Sequence, residues 1–395
     1  MTVTALTGSA TAGEILELVR SGRARTRREV QELTGLSRST LSLRMSQLLA
    51  AGYLRESGQA AATTGRPARI LTFDEARQIV LSVDIGATHA KLAVLDAGST
   101  VLMEAQAEID ISAPPELTLR SLARRLTELL TRSERTLSAV AGVGVGIPAP
   151  VRFSTQRPNN PPLMRAWHDF PIAETLESLL GVPVFVDNDA NLMGLGEARD
   201  RYPDSPSVLF VKVGTGIGAG VILHGQPERG IAGGAGDIGH IRIVDGAAAH
   251  LCTCGAVGCL ATEASGGAIV RMLREEGRDV RSAGDVNRLV NAGDPRAIEL
   301  TQRAGRLLGD VLATSVALLN PAVLVIGGVM ADPGTVLVDS VRDRVYERTV
   351  PMSTRELFIT ASSLGADAAI QGARHMVIDQ TFSAAAVDSR LQLAS

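Results

Sequence analysis

No apolar run in this 395-residue chain approaches the roughly 20 residues of a membrane span. Its first stretch, Met1 to Gly13, also lacks a basic segment followed by an apolar one, so no secretory leader is indicated. A cytoplasmic protein with no membrane partner is expected. Cysteine is scarce as well: three in the whole chain, Cys252, Cys254 and Cys259, all in one short segment. Such crowding excludes a scaffold of dispersed disulfides and suggests a metal site, with a redox disulfide as the rival reading.

What is present is ordinary globular material. Apolar residues make up 45% and charged residues 21%, and the length allows roughly two to three domains. The net charge of −3 conceals an asymmetry. Residues 1–70 hold ten Arg against five Asp or Glu, an excess of +5, so the remainder carries −8. A basic head on an acidic body implies a polyanionic partner for the head.

The head has the spacing of a helix-turn-helix. Ile15, Leu18 and Val19 lie on one helical face, and Thr26 with Glu29 forms a capping box before Val30 and Leu33. Gly35 makes a turn and Leu36 plugs the core. Ser37 caps a third helix with Leu41, Met45, Leu48 and Leu49 inward, and Gly52 ends it. Arg38, Ser39, Thr40 and Arg44 are the candidate DNA contacts, on the outward face that such helices present to base edges. Tyr53–Glu56 and Arg69–Phe73 are expected to pair as a wing. Arg66, followed by Pro67, resembles arms that enter narrow, A·T-rich minor grooves. Double-stranded DNA is therefore the expected partner of the head.

From Ile79 the pattern changes to strands. Val80–Asp84, a turn at Ile85–Thr88 and a strand at Lys91–Leu95 are echoed by Val208–Val213, a turn at Gly214–Gly220 and a strand at Val221–Leu223. Glycine turns let backbone N–H groups converge on an anion, and a Thr hydroxyl adds a donor. Asp84, Gly86 and Thr88 and then Gly214, Thr215 and Gly216 are thus candidate phosphate loops. Asp187 or Asp189 also suits the cap of a helix starting near Ala190.

Asp84-Ile-Gly-Ala-Thr88, Gly146-Ile-Pro148, Val186–Asn191, Gly214–Gly220, Gly236–His240, Cys252–Cys259, Asn320-Pro321, Val325–Gly328 and Leu364–Asp367 stand in an order that resembles the ROK family of repressors and sugar kinases. Sequence period alone gives only α/β. The resemblance implies an N-terminal all-α winged helix-turn-helix plus an α/β actin-like ATPase (ribonuclease H-like) two-lobed sugar-kinase fold. The expected division is 1–75 for the head, 79–195 for a first lobe completed by a C-terminal helix at 366–382, and 196–365 for a second lobe. The resemblance further implies a repressor released by a sugar or oligosaccharide, acting as a homodimer or higher homo-oligomer on an inverted repeat.

Within that resemblance Asp189 holds the place of the kinase base, and Asn159, Asn188, Asp189, Asp237 and His240 are the expected sugar contacts. The phosphate cradle departs from the family's pattern, because Ala87 and Ala219 stand where glycine is usual. The base is therefore expected to be vestigial, with ATP not bound and no enzymatic activity; an active sugar kinase is the alternative. The sugar clamp departs too: Asp237 replaces a longer Glu and Ala261 replaces another, with Glu263 out of register. Loss of one such carboxylate removes about 1.5–3 kcal/mol of charge-assisted hydrogen bonding. For the cysteines the resemblance adds His240 as fourth ligand of one structural zinc ion, with His250 as the rival and two residues inserted in the loop Asp245–Ala249.

Overall fold

The computed structural model describes residues 10–59, 69–246, 249–331 and 336–393. The head comprises α1 (Ala12–Arg20), α2 (Arg27–Thr34), α3 (Arg38–Ala50) and the antiparallel pair β1 (Leu54–Gln59) and β2 (Arg69–Phe73). This is the winged helix-turn-helix order. Thr26 caps α2 through Glu29 N, but the Glu29 carboxylate reaches Arg25 N, so only half of the expected capping box forms. Gly35 ends α2 in the left-handed region, and Ser37 caps α3 by accepting from Thr40 N. Arg66 lies outside the described residues.

The body contains two five-stranded sheets of matching topology. The first is built from β3 (Ile79–Ile85), β4 (His89–Asp96), β5 (Val101–Glu108), α4 (Pro115–Arg132), β6 (Val140–Ile147), the short pair β7 (Val151–Arg152) and β8 (Arg157–Pro158), α5 (Ile172–Leu180) and β9 (Val184–Asn188). Its order is β5-β4-β3-β6-β9, antiparallel on one side of β3 and parallel on the other. α6 (Asp189–Arg201) then leads into β10 (Ser207–Val213), β11 (Ile217–Leu223) and β12 (Gln226–Glu228). Four helices follow, α7 (Leu260–Ala264), α8 (Gly266–Glu275), α9 (Ala283–Asn291) and α10 (Pro295–Leu319). The chain closes the second sheet with β13 (Val323–Gly327), α11 (Val336–Arg348), α12 (Pro351–Thr354) and β14 (Phe358–Ala361). That sheet runs β12-β11-β10-β13-β14, the same pattern again. Two halves of one architecture account for the repeat in the sequence.

The second glycine turn is shorter than the seven residues anticipated. Ile217–Gly220 already belongs to β11, paired residue by residue with β10, so the turn proper is Gly214-Thr215-Gly216. Ala219 is consequently a buried strand residue in the apolar core.

The last two helices, α13 (Ala368–Thr381) and α14 (Ala384–Leu393), tie the parts together. α13 packs on β3, β6 and α6. Its contact with α6 is backbone to backbone: a methyl at Gly196 would sit 2.3 Å from Ala368 O, and one at Gly372 1.8 Å from Leu192 O. Glycine is needed there because no side chain fits. α14 packs on α1, and Asp388 accepts from Gly13 N at 2.8 Å. Val377, Ile378, Phe382 and Val387 are buried in one cluster with Ile15, Leu16, Met45 and Leu71 of the head.

Candidate functional site

Between the two sheets lies a cavity of about 510 Å³. Both glycine turns border it, through Gly86 and Ala87 on one side and Gly214, Thr215 and Gly216 on the other. Asn188, Asp189, Asp237 and His240 also line it, so four of the five expected sugar contacts are brought together. Asn159 is not among the lining residues; its amide donates to Ala232 O, bracing the loop opposite. Thr88 is likewise off the wall, its hydroxyl 2.8 Å from His89 Nδ1.

Asn188, rather than Asp187 or Asp189, caps α6. Its Oδ1 accepts from Ala190 N and Asn191 N, and its Nδ2 donates to Ala149 O. Most of its hydrogen-bonding capacity is therefore spent inside the protein. Asp187 is buried and accepts from Asn191 Nδ2 and from Arg229 Nε at 2.7 Å. Arg229, stacked 3.8 Å over Phe153, thereby anchors the loop that delivers Asp237 and His240 to the cavity.

Asp189, at the start of α6, points into the cavity and is ion-paired with Lys212 Nζ from β10. Burial alone favours neutral Lys212, but Asp189 and Asp84 outweigh it and hold the ammonium above its ordinary pKa. Asp84 lies behind: burial pushes its carboxyl up to about 6, against the opposing effect of Lys212. Phosphoryl transfer needs a free carboxylate base and a divalent metal at the phosphates. Here the Asp189 carboxylate is already paired with an ammonium. The sequence reading missed Lys212, whose signal was one charge inside the apolar strand Val208–Val213.

The cysteine cluster adjoins the cavity. His240, Cys252, Cys254 and Cys259 place one ligand atom each within 4.8 Å of one another. Cys252 Sγ is 3.4 Å from His240 Nδ1, and the Cys254 and Cys259 sulfurs are 3.7 Å apart, unbonded. A tetrahedral zinc ion with ordinary bond lengths sets such atoms roughly 3.5–3.8 Å apart, so donors and spacing both fit. Burial and the two neighbouring thiols push Cys259 up to about 12, a crowding that a dication relieves. His250 is committed elsewhere: its Nδ1 lies 2.8 Å from Glu263 Oε1. Glu263 is buried beside His250 and Arg303, so it does not replace the carboxylate missing at Ala261, which lines the cavity. Residues 247 and 248 of the expected insertion lie outside the described residues.

On α3, Arg38 and Ser39 are exposed and Thr40 half-exposed. Among the described residues, Arg38 makes no ion pair. Arg44 is a correction: it lines a groove with Thr11, Gln47, Asp388 and Leu391, and its Nη1 is enclosed. Counting i, i+3, i+4, i+7 from Leu41 puts Arg44 on the flank of the inward stripe. The outward face instead carries Ser42, Leu43 and Ser46, with Leu43 63% exposed.

Cavity and head are physically joined. α6 begins at the cavity with Asp189 and ends near Arg199, whose Nη1 and Nη2 grip Asp379 of α13 at 2.9 and 2.5 Å. Arg20 of α1 faces the same carboxylate at 3.8 Å and donates to Phe382 O. Phe382 in turn meets Tyr53 and Phe73 edge-on, with centroids 5.6 and 5.0 Å away.

A sequence model described as the ROK family matches residues 80–380. The chain is 26% identical over 357 residues to the xylose repressor of Bacillus spizizenii, covering 89% of this chain and 91% of that protein. It is 29% identical over 315 residues to a glucokinase of Halalkalibacterium halodurans, covering 76% of this chain and 95% of the kinase. A crystal structure of a ROK family transcriptional regulator, a homologue of the E. coli Mlc protein, superposes with a TM-score of 0.78 at 24% identity, covering 96% of this chain and 98% of that one.

Proposed function

The chain belongs to the ROK family, and on that footing we propose that it is a transcription repressor of carbohydrate-utilisation genes, released from its operator by a sugar or oligosaccharide that it does not phosphorylate. One observation carries the reading. The helix-turn-helix head shares its core with α13 and α14, and α13 lies against the helix whose first turn forms part of the sugar cavity. A change of cavity shape thus has a short path to the DNA-binding surface. The similarity to a xylose repressor over nearly the whole chain supports the same conclusion.

The chain comprises, on this reading, a head at 1–75, a first lobe at 79–195 with 366–382, and a second at 196–365. α6 runs through the lobe boundary and belongs mechanically to both. Asp189, Asp237 and His240 hold sugar hydroxyls, with Asn188 in a supporting place. One structural zinc ion on His240, Cys252, Cys254 and Cys259 fixes the imidazole: Nδ1 faces the sulfurs while Nε2, 4.0 Å from Asp237, faces the cavity. As a cytoplasmic homodimer the protein places two α3 helices in successive major grooves of an inverted repeat. The second reading, an active sugar kinase, is favoured by the glucokinase similarity and by Asp189, and opposed by the Lys212 ion pair.

The test is a gel-shift titration of the full-length protein on DNA upstream of its own gene. Release by one sugar without ATP is the expected result. Release that requires ATP, with ADP formed, would establish the kinase instead.

A further inference from the structure

Resting on the reading of the cleft as a sugar sensor, we propose that the Lys212 ammonium is a tethered cation that occupies, beside Asp84 and Asp189, the place a phosphoryl-transfer cleft keeps for a divalent metal. Sugar enters such a cleft while metal-bound nucleotide is shut out.

The duplicated architecture brings this about. Asp84 stands two residues before Gly86 and pairs with Gly146 of the neighbouring parallel strand β6. Lys212 stands two residues before Gly214 and pairs with Gly327 of the corresponding strand β13. They are the same position in the two halves, carrying opposite charges.

The surroundings of Asp84 give the second, independent observation. Its Oδ1 is buried and accepts no hydrogen bond. A methyl on Gly146 would lie 3.3 Å from that oxygen and 3.6 Å from Asp189 Cα, so the Asp84 carboxyl and the start of α6 border one small space. Two buried carboxylates so close need a cation near them. Lys212 supplies it, paired with Asp189 and felt by Asp84.

The choice of residue agrees. Lys91 and Lys212 are the two lysines among 39 Lys and Arg residues. A compact ammonium resembles a metal ion in size and charge density more closely than a planar five-donor guanidinium does. One positive charge against two carboxylates leaves Asp84 incompletely compensated, consistent with its raised pKa. A dication arriving there would meet an ammonium fixed in place.

The experiment compares full-length native protein with Lys212→Met and Lys212→Arg by Mn2+ uptake, read as loss of the free-ion electron spin resonance signal, and by melting with and without Mg2+. The cysteine cluster is common to all three and cancels. Lys212→Met is expected to bind Mn2+ about tenfold or more tightly than native protein, because a like charge has been removed. Mg2+ should raise its melting temperature, and Asp84→Asn in the same background should abolish both effects. Lys212→Arg should behave as native. A folded Lys212→Met protein with native Mn2+ uptake would overturn the inference. If that variant is recovered unfolded, refolding in Mg2+ but not in K+ supports the inference, and refolding in neither overturns it. Sugar release of the native protein from DNA is read separately, so either idea can fail alone.

Discussion

Asp84 shows how one buried carboxyl sets a pH dependence. Its folded pKa of about 6 stands above the ordinary 3.8, so the stability linked to it is full below about pH 4 and lost as pH rises through 6. Asp84→Asn should stabilise the protein by about 2 kcal/mol more at pH 7.5 than at pH 4.5, measured as urea midpoints at the two pH values. At the cluster, Cys254→Ala should lose bound zinc by elemental analysis and lower the melting temperature; full metal occupancy in that variant would sink the assignment. The cysteines were legible because all three sit in one short segment and a zinc site asks for that grouping. Lys212 was not, because its partners Asp84 and Asp189 are remote in sequence and meet it only when two sheets face each other. The second role of Asn188 was not legible for a related reason: its amide suits a sugar equally well, and its cap of α6 emerges only from the fold.

Among the elements, α3 is the one on which the proposed DNA contact rests. Arg38 begins it exposed, a place suited to a phosphate in the proposed complex, and Leu43 offers an apolar surface suited to a thymine methyl. Arg38→Ala is expected to weaken operator binding and reduce the steepness of the salt dependence by about one counterion, measured by fluorescence anisotropy across a salt series. Arg44→Ala should leave that slope unchanged, since its guanidinium lies toward α14. Helix caps and strand starts were legible because Thr26, Ser37 and the glycine turns act locally. The length of the second turn was not, since Gly218 and Gly220 read as loop until β10 pairs with them.

For the whole molecule, the line from α6 through Asp379 to α1 matters most. Burial would raise the Asp379 pKa, yet the Arg199 fork overrides it and holds the carboxyl ionised below its usual range. Asp379→Asn keeps the shape and removes the charge that both arginines share. The expected outcome is operator binding within about threefold of native but sugar-induced release weakened at least about tenfold, read by gel shift. Equal loss of both would make Asp379 a stability residue only. The two-lobed body was legible from motif order. The docking of α13 and α14 on the head was not, because nothing in residues 377–391 names a partner near residue 15.

That docking also has a consequence in time. The head leaves the ribosome first, but the aromatic ring of Phe382 and the α14 face that complete its core are made about 300 residues later. At roughly 5–20 residues per second the interval is about 15–60 s, during which α1 lacks its cover. A chain broken off before its last two helices never acquires that cover. Until those helices are made, the apolar face of α1 that α14 covers stands open to water, the kind of surface through which a nascent chain meets its neighbours.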